Sequence, residues 1–226
     1  TTVAMLICPS EVRPQANTST SAAGVTTTYG VSNYGWCAGT WYVYGGPNSA
    51  VSPGAVVPNQ GKTFAAVTDG LSQTLLAAEV KTYQPAYHDC AGALPAALAI
   101  PTLSPDVPAL LGVMKSATSQ CKAATPGHAK WVHGNTFNDA FTTALPPNTT
   151  SNDGSSPPLV ADFVSIDEDD GGPTYSIVTA RSYHPGGVQA LMGDGGVRFF
   201  KSTIRWNIWR ALGTVNGGEV VSSDAY

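Results

Sequence analysis

The chain has 226 residues, enough for one domain with a sizeable core over residues 1–226. Its net charge of -4 and 12% charged residues leave no basic footprint, which argues against nucleic acid and anionic membrane as partners. Low charge together with 24 glycines and 17 prolines predicts a β-rich, loop-rich protein of an extracytoplasmic, secreted or cell-surface kind.

The apolar run at residues 3–8 reads as a short buried strand that leaves into a polar loop. So abrupt an opening predicts further protein before Thr1. Residues 29–46 are crowded with aromatics, among them Tyr34, Trp36, Trp41, Tyr42 and Tyr44. Two readings fit them: strand core, since Tyr and Trp are commonly largely buried, or a stacking platform for sugar. Residues 62–83 read as a strand, an Asp-Gly turn capped by Asp69, and a second strand or short helix. Residues 84–130 are rich in Ala and Pro and read as a variable insertion with short helical pieces.

The four cysteines, Cys8, Cys37, Cys90 and Cys121, contain no C-x-x-C pair. Disulfides Cys8–Cys37 and Cys90–Cys121 would each close a loop of about thirty residues, worth roughly 3 to 4 kcal/mol apiece in the entropy model, and would imply an oxidising compartment. The alternative is four buried thiols. Asn17 and Asn148 each open an N-x-S/T glycosylation acceptor pattern. The carboxylates at 167–172 suggest a calcium loop built on Asp167, Asp169 and Asp170; the competing reading is a solvated acidic turn. The loop is no EF-hand, because Val178 stands where a bidentate Glu is required.

Residues 184–200, HPGGVQALMGDGGVRFF, read as a hairpin. With Asp194-Gly195 at the centre of a type I′ turn, Met192 faces Val197 and Ala190 faces Phe199. Val188, Ala190, Met192, Val197 and Phe199 then share one face, and Gln189, Leu191, Arg198 and Phe200 the other. A helix capped by Ser202 follows, with Ile204, Ile208 and Leu212 on one side and Gly213 as its stop, and then a last strand at 217–223. Ten residues of extended chain separate His184 from Asp194 by about 30 Å, so they cannot share a proton, and His184 reads as a turn anchor. With no G-x-S-x-G elbow, H-E-x-x-H pair or P-loop besides, the chain reads as no enzyme.

Four runs, LICPSE (6–11), FAAVTDGLSQTLLAAEV (64–80), the hairpin at 184–200 and WRALGTVNGGEV (209–220), together resemble bacterial prepilin-like secreted proteins with a C-terminal H-x9-D-G signature. His184, Asp194 and Gly195 meet that signature, while Gly193 and Gly196 stand where Ala and Ser are usual. The resemblance implies an α+β pilin-like head: an antiparallel sheet with a C-terminal β-hairpin, short helices and loop-rich insertions. It implies a non-enzymatic structural subunit of a pilus- or pseudopilus-like extracellular filament linked to type II secretion. Its partners would be copies of itself and the assembly machinery, with membrane contact only through an N-terminal apolar helix outside this sequence. It implies no cofactor; calcium is expected only from the acidic loop at 167–172. The alternative function is a secreted module binding glycan or a small solute through Tyr34, Trp36, Trp41, Tyr42 and Tyr44.

Overall fold

A computed structural model describes residues 1–46, 52–89, 122–150, 160–219 and 221–222. It is α+β, with strands predominating over short helices. A Thr-rich ribbon comes first, β1 (Asn17–Thr20) against β2 (Thr26–Tyr29). One five-stranded sheet then joins β3 (Tyr34–Cys37), β5 (Leu75–Glu79), β8 (Ala140–Phe141), β11 (Gly187–Met192) and β12 (Val197–Lys201) in the order β12-β11-β5-β3-β8. The other joins β4 (Tyr42–Tyr44), β6 (Gln84–His88), β7 (Lys122–Gly127), β9 (Asp162–Val164) and β10 (Thr174–Ile177) in the order β4-β10-β9-β6-β7. Neither sheet is purely antiparallel as expected, since β3–β8 and β6–β9 run parallel.

The two sheets share one core. Cys37, Leu75, Val188, Met192 and Phe200 from the first pack in the same cluster as Ala86 and Val164 from the second. Helix α1 (Thr136–Asp139) leads into β8, and helix α2 (Trp206–Leu212) closes the core with Trp209, which stacks on Phe141 at 6.1 Å and meets Phe200 edge-on at 5.5 Å. Helix α2 stops at Gly213 as predicted, but Ser202 is not its cap; Arg205 holds that position with no side-chain bond.

Other expectations fail for readable reasons. Residues Ala4–Leu6 form a 3-10 turn, not a buried strand: the Leu6 amide bonds the Val3 carbonyl and the Ile7 amide the Ala4 carbonyl, and Met5 is exposed. Asp69 does not cap its own turn. Its carboxylate accepts the Gly217 and Gly218 amides at 2.8 and 2.9 Å and the Thr214 hydroxyl, holding the C-terminal segment. That tie replaces the expected last strand, of which the described residues show none. The predicted insertion proves to begin and end in paired strands, β6 and β7, while residues 90–121 lie outside the described chain.

The hairpin is correct in place and wrong by one residue in register. Leu191 faces Val197 and Val188 faces Phe200, because the loop has three residues: Gly195, at φ +86°, follows a turn closed by its amide on the Met192 carbonyl, and the Met192 amide bonds the Gly196 carbonyl. This is the bulged three-residue loop, not the two-residue turn. A one-residue slip reverses a strand's faces. Phe200 is therefore fully buried, while Phe199 is 42% and Val197 66% exposed. Urea denaturation should show Phe200→Ala losing about 3–5 kcal/mol and Phe199→Ala less than about 1 kcal/mol; the two-residue turn would give the reverse order.

Candidate functional site

His184 and Asp194 belong to different structures. Asp194 sits in the β11–β12 loop, half exposed, where Oδ1 accepts the Gly196 amide at 2.9 Å. His184 reaches instead to Glu79 at the end of β5, with Nε2 3.0 Å from Oε1. The other oxygen of Glu79 accepts the Gln189 amide at 2.7 Å, and the Cys8 thiol lies 3.7 Å from Oε1. The ring is an anchor, but to a carboxylate 105 residues away and not to its own turn.

Cys8, His184 and Glu79 are the right residue types for a nucleophile, a base and an orienting acid. Their geometry does not work as one. In a relay the nucleophile and the acid use opposite ring nitrogens. Here the Cys8 sulfur lies 3.8 Å from the same Nε2 that faces Glu79, so thiol and carboxylate compete for one atom. The cluster is a clasp. It continues through Asn33, whose Oδ1 accepts the Cys8 amide at 3.0 Å and whose Nδ2 donates to Glu11 and to the Val80 carbonyl.

The cysteine pairing is corrected by the same contacts. Cys8 and Cys37 are free and buried: Cys8 faces Glu79 and His184, whereas Cys37 lies in the core against the Gly213 carbonyl. Burial pushes the Cys37 thiol up to about 12, so it is inert at neutral pH. Cys90 and Cys121 lie outside the described residues. Of the glycosylation candidates, Asn17 is half-buried at the start of β1. Asn148 is committed to structure, its Nδ2 donating to the Gly187 carbonyl and the Ser202 hydroxyl and its Oδ1 accepting the Ser182 amide. A glycan on Nδ2 would break those ties.

The acidic loop also differs from expectation. Asp167, Asp169 and Asp170 border one cavity but form no common ligand set: Glu168–Asp170 form a 3-10 turn that leaves Asp169 and Asp170 exposed while Asp167 is buried. Asp167 turns to His88 and Asp89, whose carboxylates and imidazole lie within ligand range of one another. His128, by contrast, is a core histidine that burial holds neutral, its pKa lowered to about 4, with Nδ1 bonded to the Asn138 carbonyl.

The aromatic set divides. Trp41 is buried against Tyr175 at 5.8 Å, and Tyr42, half-buried, packs on the same ring. Tyr44 is half-buried on β4. Only Tyr34 and Trp36 are exposed, and they line a groove of about 540 Å3 with Leu6, Trp131, Ala77 and Leu191. Asp139 borders this groove, and desolvation raises its pKa to about 7.

Sequence reasoning missed Glu79, His88 and Asp89 as site residues, and gave Cys8 a disulfide in place of its contacts with Glu79 and His184. The available signal was a carboxylate closing the apolar strand LLAAE; nothing local marked His88. Two measurements separate these readings. His184→Ala and Asp194→Ala should add within about 0.5 kcal/mol in a double-mutant cycle, whereas Glu79→Ala and His184→Ala should not. Asp139 is protonated in the fold when the unfolded chain has already lost its proton, so stability falls as pH rises from about 4 to 7. Asp139→Asn should remove that slope and be about 1–2 kcal/mol more stable at pH 8 in thermal melts, well under the full linkage value because the carboxyl is partly solvated.

No curated protein and no solved structure matches the sequence. A family profile described as protein of unknown function (DUF1559) matches residues 1–206, a span that holds both sheets and every side chain of the clasp. The chain belongs to the DUF1559 family.

Proposed function

We propose that this chain is the head of a pilin-like structural subunit of an extracellular filament, that it is not an enzyme, and that it works by self-association. The observation that carries this reading is the outer face of the first sheet. Val197, Leu191, Ala77 and Trp36 pair side by side across β12, β11, β5 and β3, with Phe199 on the same face. Trp36 is 50% exposed. A continuous apolar row in water marks a surface that another protein covers. The occupant is a second copy of this chain: the row carries no charge to repel its like, and the one carboxyl bordering its groove, Asp139, is protonated below about pH 7 and can be covered without burying a charge. The polar clasp at His184, which competes with catalytic use of that histidine, supports a structural role.

Tyr34, Trp36 and Trp131 also meet in one groove, which favours glycan or solute binding as the second reading. Sedimentation of the chain over a concentration series distinguishes the two. Self-association that Leu191→Glu and Trp36→Glu abolish, with unchanged circular dichroism, is the expected result. A monomer at every concentration, with tryptophan fluorescence quenched by an oligosaccharide, would replace the filament reading by the binding one.

A further inference from the structure

Two groups of His, Cys, Asp and Glu among the described residues bring their ligand atoms within 4.8 Å of one another. In the clasp of Cys8, Glu79 and His184 each acceptor already has a donor, and an ion would have to break bonds to enter. The group of His88, Asp89 and Asp167 is different. Asp167 is 6% exposed, yet its Oδ1 has no hydrogen-bond partner. His88 Nδ1 lies 3.1 Å from Asp89 Oδ2 and 3.4 Å from Asp167 Oδ2, and it too makes no hydrogen bond. A buried carboxylate oxygen without a donor costs several kcal/mol in a fold that otherwise satisfies such groups.

We infer that His88, Asp89 and Asp167 form a site for one divalent transition-metal ion of the zinc class. Two ligands about 2.0–2.1 Å from a tetrahedral ion stand about 3.3 Å apart, the spacing between the imidazole nitrogen and the two carboxylates. Two carboxylates and a neutral imidazole neutralise a divalent cation. The imidazole selects the zinc class over calcium and magnesium, which prefer all-oxygen shells. The ligands are held from outside: His88 stacks on Phe137 at 4.7 Å, and the Asp167 amide donates to Asp89 Oδ1 at 3.2 Å. All three line a cavity of about 540 Å3 that His133, Asp169 and Asp170 also border, which leaves a coordination position open to water. An ion here would tie the end of β6 to the loop after β9, in a cavity separate from the groove of the proposed self-association.

The test is a zinc titration of the untagged chain after chelation, followed by calorimetry. One ion per chain at micromolar affinity or better is expected, with a rise in the thermal midpoint. His88→Gln and Asp167→Asn should each weaken binding at least about tenfold, while Asp194→Asn, in the exposed β11–β12 loop, leaves it unchanged. The cobalt(II) form of the wild-type chain supplies a readout independent of whether any variant folds: visible ligand-field bands without a thiolate-to-cobalt charge-transfer band. A thiolate band would move the ion to a cysteine and overturn the assignment. So would the absence of zinc binding, zinc affinity that survives both substitutions, or heat from calcium alone.

Discussion

The buried carboxylate of Glu79 ties together parts of this fold that are far apart in sequence. It closes β5, and its two oxygens receive His184 from one loop and the Gln189 amide from β11, with the Cys8 thiol beside them. Its own carbonyl accepts the Arg181 amide at 2.8 Å. A carboxylate in a core is tolerated only while its donors are present. The N-terminal turn, the loop before β11 and two adjacent strands must therefore arrive together. A slip of one residue in β5 or β11 would turn the carboxylate away from all of them, so the charge fixes register as well as position.

The network continues along the same edge without breaking the rule. Glu11 is buried and accepts the Arg13 and Thr82 amides, while Asn33 spans between it, the Cys8 amide and the Val80 carbonyl. Complete satisfaction of this kind holds a chain in one arrangement and leaves nothing over for a ligand. The contrast with His88 and Asp167 is physical: similar residue types, similar burial, and orphaned atoms in place of filled ones. The state of the lone pairs, more than residue identity, separates scaffold from candidate chemistry here.

Much of the architecture was legible because it is local. Alternation located the hairpin of β11 and β12, and the stop at Gly213 was readable from composition. Register was not, because two-residue and three-residue turns differ only in whether Gly193 belongs to the loop, and the burial of Phe200 in place of Phe199 follows from that one choice. The Cys8–Cys37 pairing failed for a related reason: loop length says how much a bridge would restrict the chain, not where a sulfur points. His184 was readable as an anchor, but its partner lies 105 residues away, and His88 and Asp167 are brought together by the parallel pairing of β6 with β9. Contacts made by sheet order leave no spacing in a single sequence.

One segment joins the two functional proposals. After β7 the chain runs from the second sheet to the first through residues 128–139, folded back on itself by the His128 amide on the Phe137 carbonyl and the His128 ring on the Asn138 carbonyl. Lys130, His133 and Phe137 of that segment border the cavity of His88 and Asp167, and Trp131 and Asp139 border the apolar groove of Trp36. The segment is short and cross-tied within itself, by the His133 amide on the Lys130 carbonyl and the Asn138 and Asp139 amides on the Asn135 carbonyl, so its two sides are not free to move separately. An ion at His88 that fixed Phe137 through ring stacking would also fix the backbone that presents Trp131 and Asp139. The groove would then be offered to a partner already ordered, which would lower the conformational entropy that association must overcome.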